Sequence, residues 1–225
     1  MKERPILFTG PMVRAILEGR KTVTRRVVKP QPDFLGSMVD PNTPFKTLDA
    51  GLHARITCPY GEPGDRLWVR ESWWQAGENI MTHPEDDEGV WSGSNRVHYS
   101  ADGLPPNEPN RHYPEGLRNG RFSAANPDRV WRHRPSIHMP RWACRILLEI
   151  TAVRVERLQD ISEVQARAEG ITDGGCSSCG NHEPCGCECP APSAVDSFVH
   201  LWRSTGGNWE SNPWVWVVEF KRVTP

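Results

Sequence analysis

Met12, Val13, Ile16 and Leu17 share one face at helical spacing, which predicts a short amphipathic helix. Thr9 stands where a cap belongs. Gly10 and Pro11 fill the first turn, where a missing N–H costs little. Gly19 follows at the C-terminus, where a positive φ is common. Arg4–Phe8 ahead of the helix reads as a short strand. Val23, Val27 and Val28 behind it read as another, which Lys29-Pro30-Gln31-Pro32 ends. Phe34 to Gly64 is a polar, Pro- and Gly-containing connection in which Ile56 and Cys58 mark a brief strand. Gly64-Asp65 reads as a turn, and Leu67 to Trp73 alternates as a strand. That alternation places Glu71 on the strand between aromatic residues, as a carboxylate facing either a pocket or solvent.

Residues 75–134 carry little pattern and read as a long irregular insertion rich in Pro, Gly, Asn and charge, with Val90-Trp91 and Val97–Tyr99 flanking Ser92–Asn95 as a hairpin. Arg145–Arg157 is a clear strand, with Ile146, Leu148, Ile150 and Ala152 on one side. Ser162 and Gln165 have capping-box spacing. The helix they open carries Val164 and Ala168 and ends near Glu169-Gly170. Glu169 therefore sits in the last turn, where a carboxylate opposes the helix dipole. Ser193 caps a final helix with Val195, Phe198, Val199 and Trp202 on one face, broken by Gly206-Gly207. Trp214–Lys221 is the strongest strand of the chain, apolar on both faces.

The chain has 225 residues and a formal net charge of −1, which suits one domain and gives no overall sign of a nucleic-acid binder. Its 21 prolines favour long irregular connections over a helical bundle. Met1–Phe8 has no apolar run of the secretory kind, and no stretch approaches a membrane span, so no membrane role and a cytoplasmic location are expected. In that compartment the seven cysteines point to metal ligands or free thiols. Cys176, Cys179, Cys185, Cys187 and Cys189 crowd one loop at 173–192 with His182 among them. A structural zinc clip fits this set. Cys176, Cys179, Cys185 and Cys187 are the expected ligands, with Cys189 or His182 as substitutes and a redox or metal-free loop as the alternative. Cys58 and Cys144 are isolated.

Two stretches carry candidate chemistry. Gly19-Arg20-Lys21-Thr22-Val23-Thr24-Arg25-Arg26 brings ammonium, hydroxyl and guanidinium groups together. It can bind phosphate, polarise a carbonyl or activate a hydroxyl, or simply be a solvated strand end. In a strict strand Lys21 and Thr24 face opposite sides, so they converge only if the chain turns near Thr22. The second stretch holds Arg129, Arg132, His133, Arg134, His138, Arg141 and Arg145, with Trp131 and Trp142 interleaved. Such a set suits single-stranded nucleic acid, or a solvated face with core tryptophans.

The helix, the motif Gly19-x-Lys21-x-x-Thr24-x-Arg26, the Gly64-Asp65 strand, the Glu149-Ile150-Thr151 strand and the closing Trp216–Phe220 strand together resemble the ASCH domain family, over roughly residues 4–29, 56–74 and 144–223. The whole chain also resembles longer ASCH proteins of bacterial prophages. The resemblance implies a PUA-like mixed β-barrel with short flanking helices; the insertion at about 75–134 and the zinc-clipped loop lie outside the minimal domain, and the expectation for 1–225 is a single α+β domain that carries both. The resemblance also implies RNA or a nucleotide-like ligand. Similarity to bacterial N4-acetylcytidine amidohydrolases implies catalytic Lys21, Thr24 and Glu169. In such a reaction backbone N–H groups after Gly19 are expected to hold the oxyanion. Arg26, Glu71 and Trp73 are the expected substrate-binding residues. The other expectations are a binding module for RNA or single-stranded nucleic acid without catalysis and, third, a metal-assisted ribonuclease.

Overall fold

A computed structural model describes residues 1–36, 42–48, 51–83, 88–106, 108, 130–172 and 193–224. In chain order its elements are β1 (Glu3–Leu7), α1 (Gly10–Leu17), β2 (Val23–Val27), β3 (Phe34–Leu35), β4 (Pro44–Thr47), β5 (His53–Arg55), β6 (Arg66–Arg70), β7 (Trp73–His83), β8 (Glu88–Tyr99), β9 (Trp131–Arg134), β10 (Leu147–Arg157), α2 (Glu163–Ala168), α3 (Ala194–Ser204) and β11 (Trp214–Val223). This is a mixed α+β chain, mostly strands with few helices. No helix among the described residues is long and apolar enough to cross a membrane.

Two compact units divide the chain: Met1–Ile6, Ala15–Trp68 and Ile146–Pro225 form the first, and Leu7–Arg14 and Val69–Arg145 the second. The first is built on a five-stranded sheet in the order β1-β6-β10-β11-β2. β10 and β11 pair over nearly their whole length, with a register shift between Ile150 and Ala152. Val215, Trp216, Val217 and Val218 are all buried, so β11 is covered on both faces as its unbroken apolar run predicts. A small sheet β3-β4-β5 belongs to the same unit. The barrel expected from the sequence is not closed among the described residues. β1 and β2 end the sheet order without pairing to each other, and closure requires every edge to find a partner.

The second unit carries the sheet β8-β7-β9. The insertion read as irregular thus contains long antiparallel strands. The hairpin expected across Ser92–Asn95 is absent, because those residues lie inside β8 and the pairing partner is β7. Gly77 faces Gly93 where the register shifts, and a Cβ at Gly77 would lie 2.4 Å from the Ser92 carbonyl. The turn-like composition of this stretch permits a close crossing of backbones instead of a reversal.

Local signals hold elsewhere. Ser162 with Gln165 and Ser193 with Asp196 both form capping boxes. Gly19 adopts φ 77° beyond α1, and Gly64 φ 88° before β6.

Candidate active site

The basic-threonine stretch leaves α1 and folds back on it. The N–H of Gly19 donates to Ile16 O, those of Arg20 and Lys21 to Ala15 O, and that of Thr22 to Ala168 O. Lys21 and Glu169 form an isolated antiparallel bridge. The end of α2 is thereby fixed against the residues entering β2. These bonds also engage each backbone N–H from Gly19 to Thr22, so the oxyanion hole expected there is already filled by carbonyls.

The bridge brings two side chains together. Lys21 Nζ donates to Glu169 Oε2 at 2.6 Å, to Glu169 O at 2.8 Å and to Val23 O at 2.8 Å. Both residues are buried, Lys21 to 2% and Glu169 to 4% exposure. Burial holds the Lys21 amine below the ordinary lysine range, while the Glu169 charge pulls it back up and Arg26 and Arg25 push it further down. A buried lysine of lowered proton affinity is a candidate base. Glu169 closes α2 as its C-cap; its poor fit to the helix dipole is offset by two cations. The second is Arg25, whose Nη1 donates to Glu169 Oε1 at 3.2 Å and whose Nη2 donates to Glu156 Oε2 at 3.3 Å. The motif resemblance does not single out Arg25. The signal that could have found it is an arginine alternating with Val23 and Val27 in a strand that must be buried.

Sheet register locates Thr24 and Arg26. Thr24 pairs with Val218, and Val218 with Val153; Arg26 pairs with Trp216, and Trp216 with Val155. Directly paired residues share a face, so Thr24, Arg26, Trp216, Val153 and Val155 lie on one side of the sheet. Arg25, Glu156 and Arg154 lie on the other. Thr24 is 3% exposed. A cavity of about 440 Å³ is lined by Val153, Val155 and Trp216 of that side, by Arg154, and by Thr43, Arg55 and Thr57 among its polar residues; Lys21, Thr24, Arg26 and Glu169 are not part of its lining. Lys21 precedes β2, and its ammonium reaches the Val23 carbonyl. The alternating pairs put Val23 among the positions whose backbone groups point away from β11. The lysine thus sits at the outer edge of the sheet, between the two faces.

Glu71 and Trp73 belong to the second unit. Glu71 lies in the two-residue break between β6 and β7, not on a strand. Arg145 holds both of its oxygens, at 2.9 and 3.0 Å, and also reaches both oxygens of Asp102. Burial pushes the Glu71 carboxyl up and Arg145 opposes it. Arg145 stacks over the Tyr99 ring at 3.9 Å. Trp73 is 3% exposed and packs with Met139 and Ala143, its ring edge-on to Trp142 at 5.9 Å. This cluster is a packed core with an ion pair on its margin. It leaves Glu71 no free oxygen and Trp73 little free ring with which to read a base.

Part of the basic-aromatic stretch packs against β7 and β8. Arg132 lies over Trp91 at 4.1 Å, Arg96 over Trp131 at 4.7 Å, and His133 packs against Trp74 at 5.0 Å. Arg129, the loop cysteines Cys176, Cys179, Cys185, Cys187 and Cys189, and His182 lie outside the described residues. Among the described residues no group of His, Cys, Asp and Glu could hold a metal ion. Burial raises the Cys58 thiol above the ordinary range.

No protein-family model, no curated protein and no solved structure matches this chain.

Proposed function

We propose that the chain is an amidohydrolase that removes the acyl group from an N4-acylated cytidine or a related modified nucleoside, free or within a nucleic acid. The reading rests on the likeness of Gly19-x-Lys21-x-x-Thr24-x-Arg26 to the ASCH signature on a PUA-like framework. The observation that carries it is the 2.6 Å bond between Lys21 and Glu169. The resemblance assigned this glutamate as the partner of the motif lysine, and the two are paired and dry.

The chemistry follows from that bond. Moving a proton from Lys21 Nζ to Glu169 Oε2 leaves a neutral amine. The amine takes a proton from the Thr24 hydroxyl, or from a water that Thr24 positions, as the oxygen attacks the amide carbonyl. Arg26, two residues along the same face, balances the charge of the tetrahedral oxyanion. The C–N bond then breaks, and the leaving N4 takes the proton from Glu169. If Thr24 is acylated, one water releases the carboxylate and restores the hydroxyl. The sum is amide plus water giving cytidine, carboxylate and one proton, which leaves to solvent. The cavity floored by Val153, Val155 and Trp216 is rimmed by Asn42, Thr43, Arg55, Thr57 and Glu62, donors and acceptors of the kind that fix the orientation of a polar nucleoside. The Cys176–Cys189 loop is proposed to hold a structural zinc, since a closed thiolate set leaves no position for a reacting water.

The test is release of cytidine from N4-acetylcytidine by the folded protein, followed by chromatography. Turnover is expected, and is expected to be lost in Thr24→Val and Lys21→Met. Absence of turnover in the folded wild type, or turnover unchanged in both variants, overturns the reading.

A further inference from the structure

Charged side chains of alternating sign form a continuous chain through the first unit. Arg154 pairs with Glu219 and with Glu156, Glu156 with Arg25 at 3.3 Å, Arg25 with Glu169 at 3.2 Å, and Glu169 with Lys21 at 2.6 Å. It begins among half-exposed groups and ends at a fully buried lysine. The Arg25 side chain has no exposed surface, and Phe198 of α3 lies 6.0 Å from its guanidinium. Its buried Nε has no hydrogen-bond partner. A buried cation with one donor unmet adds little to stability beyond what an apolar side chain would give there. Its place in the fold therefore calls for another reason.

We infer that Arg25 and Glu156 are positioning residues that set the protonation of Lys21, an inference that rests on the hydrolase reading of that lysine. Arg25 acts in two ways. By binding Glu169 Oε1 it fixes the carboxylate so that Oε2 faces Lys21 Nζ. By its charge it favours the neutral amine, which is the form that accepts the proton. Glu156 tempers that second effect, because its carboxylate neutralises part of the Arg25 charge, and Arg154 holds Glu156 in place. Among the described residues, the charged groups that act on Lys21 include Glu169 at the end of α2 and Arg26 and Arg25 from β2. Behind Arg25 stand Glu156 and Arg154 from β10 and Glu219 from β11, while α3 presents the Phe198 ring.

The inference predicts two shifts of opposite sign. Arg25→Gln removes a positive charge beside the amine while its amide can still donate to Glu169 Oε1, and the Lys21–Glu169 backbone bridge keeps the carboxylate in place, so the proton affinity of Lys21 rises. Glu156→Gln strips Arg25 of its counter-charge and lowers it. In the full chain the Lys21 Cε resonance is followed against pH by carbon-13 NMR, assigned with Lys21→Arg, and the pH profile of kcat/KM is measured alongside. The Lys21 midpoint is expected to move up in Arg25→Gln and down in Glu156→Gln, each by about half a pH unit or more. The rising limb of the rate profile should move with it, and Arg25→Lys should restore the wild-type value. A purely packing role would lower the melting temperature of both variants without opposite shifts, and that result overturns the inference. If Arg25→Gln does not fold, the half-exposed Glu156 site carries the test alone, and an unmoved midpoint there is fatal. Opposite NMR shifts in a protein that hydrolyses nothing uphold the coupling and overturn the hydrolase reading instead.

Discussion

Lys21 and Glu169 are separated by 148 residues in sequence and by 2.6 Å in space. What brings them together is backbone: the bridge between the two residues and the Thr22 N–H on Ala168 O. Gly170 makes this possible. Its φ is 93°, and a Cβ there would lie 2.8 Å from the Ala15 Cβ and 3.0 Å from the Lys21 Cβ.

Gly170→Ala is therefore expected to destabilise the protein by about 1–3 kcal/mol, through a disfavoured backbone angle and overpacking. Activity should fall further than stability alone accounts for, because the clash falls on Lys21. Urea unfolding monitored by tryptophan fluorescence, with activity measured at saturating substrate, separates the two. A variant as stable and active as wild type would show that the close approach is dispensable.

Arg145→Met leaves the Glu71 carboxylate buried without its cation. The expected loss is about 3 kcal/mol or more, read by chemical denaturation at pH 7. The pH dependence gives the sign. Folding raises the Glu71 proton affinity, so Glu71 favours the folded state most below its unfolded pKa. That contribution is lost as pH rises through the folded value. Without Arg145 the folded value rises further, so the variant should recover stability on acidification relative to wild type. Glu71→Gln in the same background should recover it at neutral pH.

Asp65 ties down the N-terminal strand, accepting from Lys2 N and Arg4 Nη1, each at 2.7 Å. Arg4 above all holds its carboxyl down, to about 2. A lowered carboxylate stabilises the fold above its unfolded pKa and ceases to do so as pH falls through the folded value. The melting temperatures of wild type and Asp65→Asn should differ near neutrality and converge between about pH 4 and pH 2. A gap that persists at pH 2 would assign the effect to something other than this charge.

The cysteine loop makes a prediction about composition. Elemental analysis of the purified protein should find about one zinc per chain. Chelation should lower the melting temperature, and Cys176→Ser with Cys185→Ser should abolish binding. Metal-free protein whose melting is indifferent to added zinc would remove the clip.

What the sequence made legible is what short-range physics decides. The α1 helix, both serine caps and the buried closing strand follow from period and composition, and the structure has them as α1, as the starts of α2 and α3, and as β11. Glu169 was legible through its conflict with the helix dipole, and two cations resolve that conflict. The misplacements have one cause in common. Glu71 looked like a strand residue because nothing local marks the break at Glu71-Ser72. Ser92–Asn95 looked like a turn because the glycine opposite, Gly77, is remote in sequence. Barrel closure depends on whether the edge strands β1 and β2 pair with each other, and the local pattern of neither strand decides its partner. Arg25 escaped because its partners, Glu156 and Glu169, lie on elements far along the chain.

Among the described residues β2 is an edge strand, and the Val23 carbonyl that receives the Lys21 ammonium lies on its side away from β11. Exposed strand edges recruit other strands and seed association between molecules. A charged amine, a helix end and a carboxylate occupy this one. The groups proposed to do chemistry therefore also act as a guard against self-assembly. Variants that empty the site would then fail in two ways at once, losing turnover and gaining a tendency to aggregate through β2.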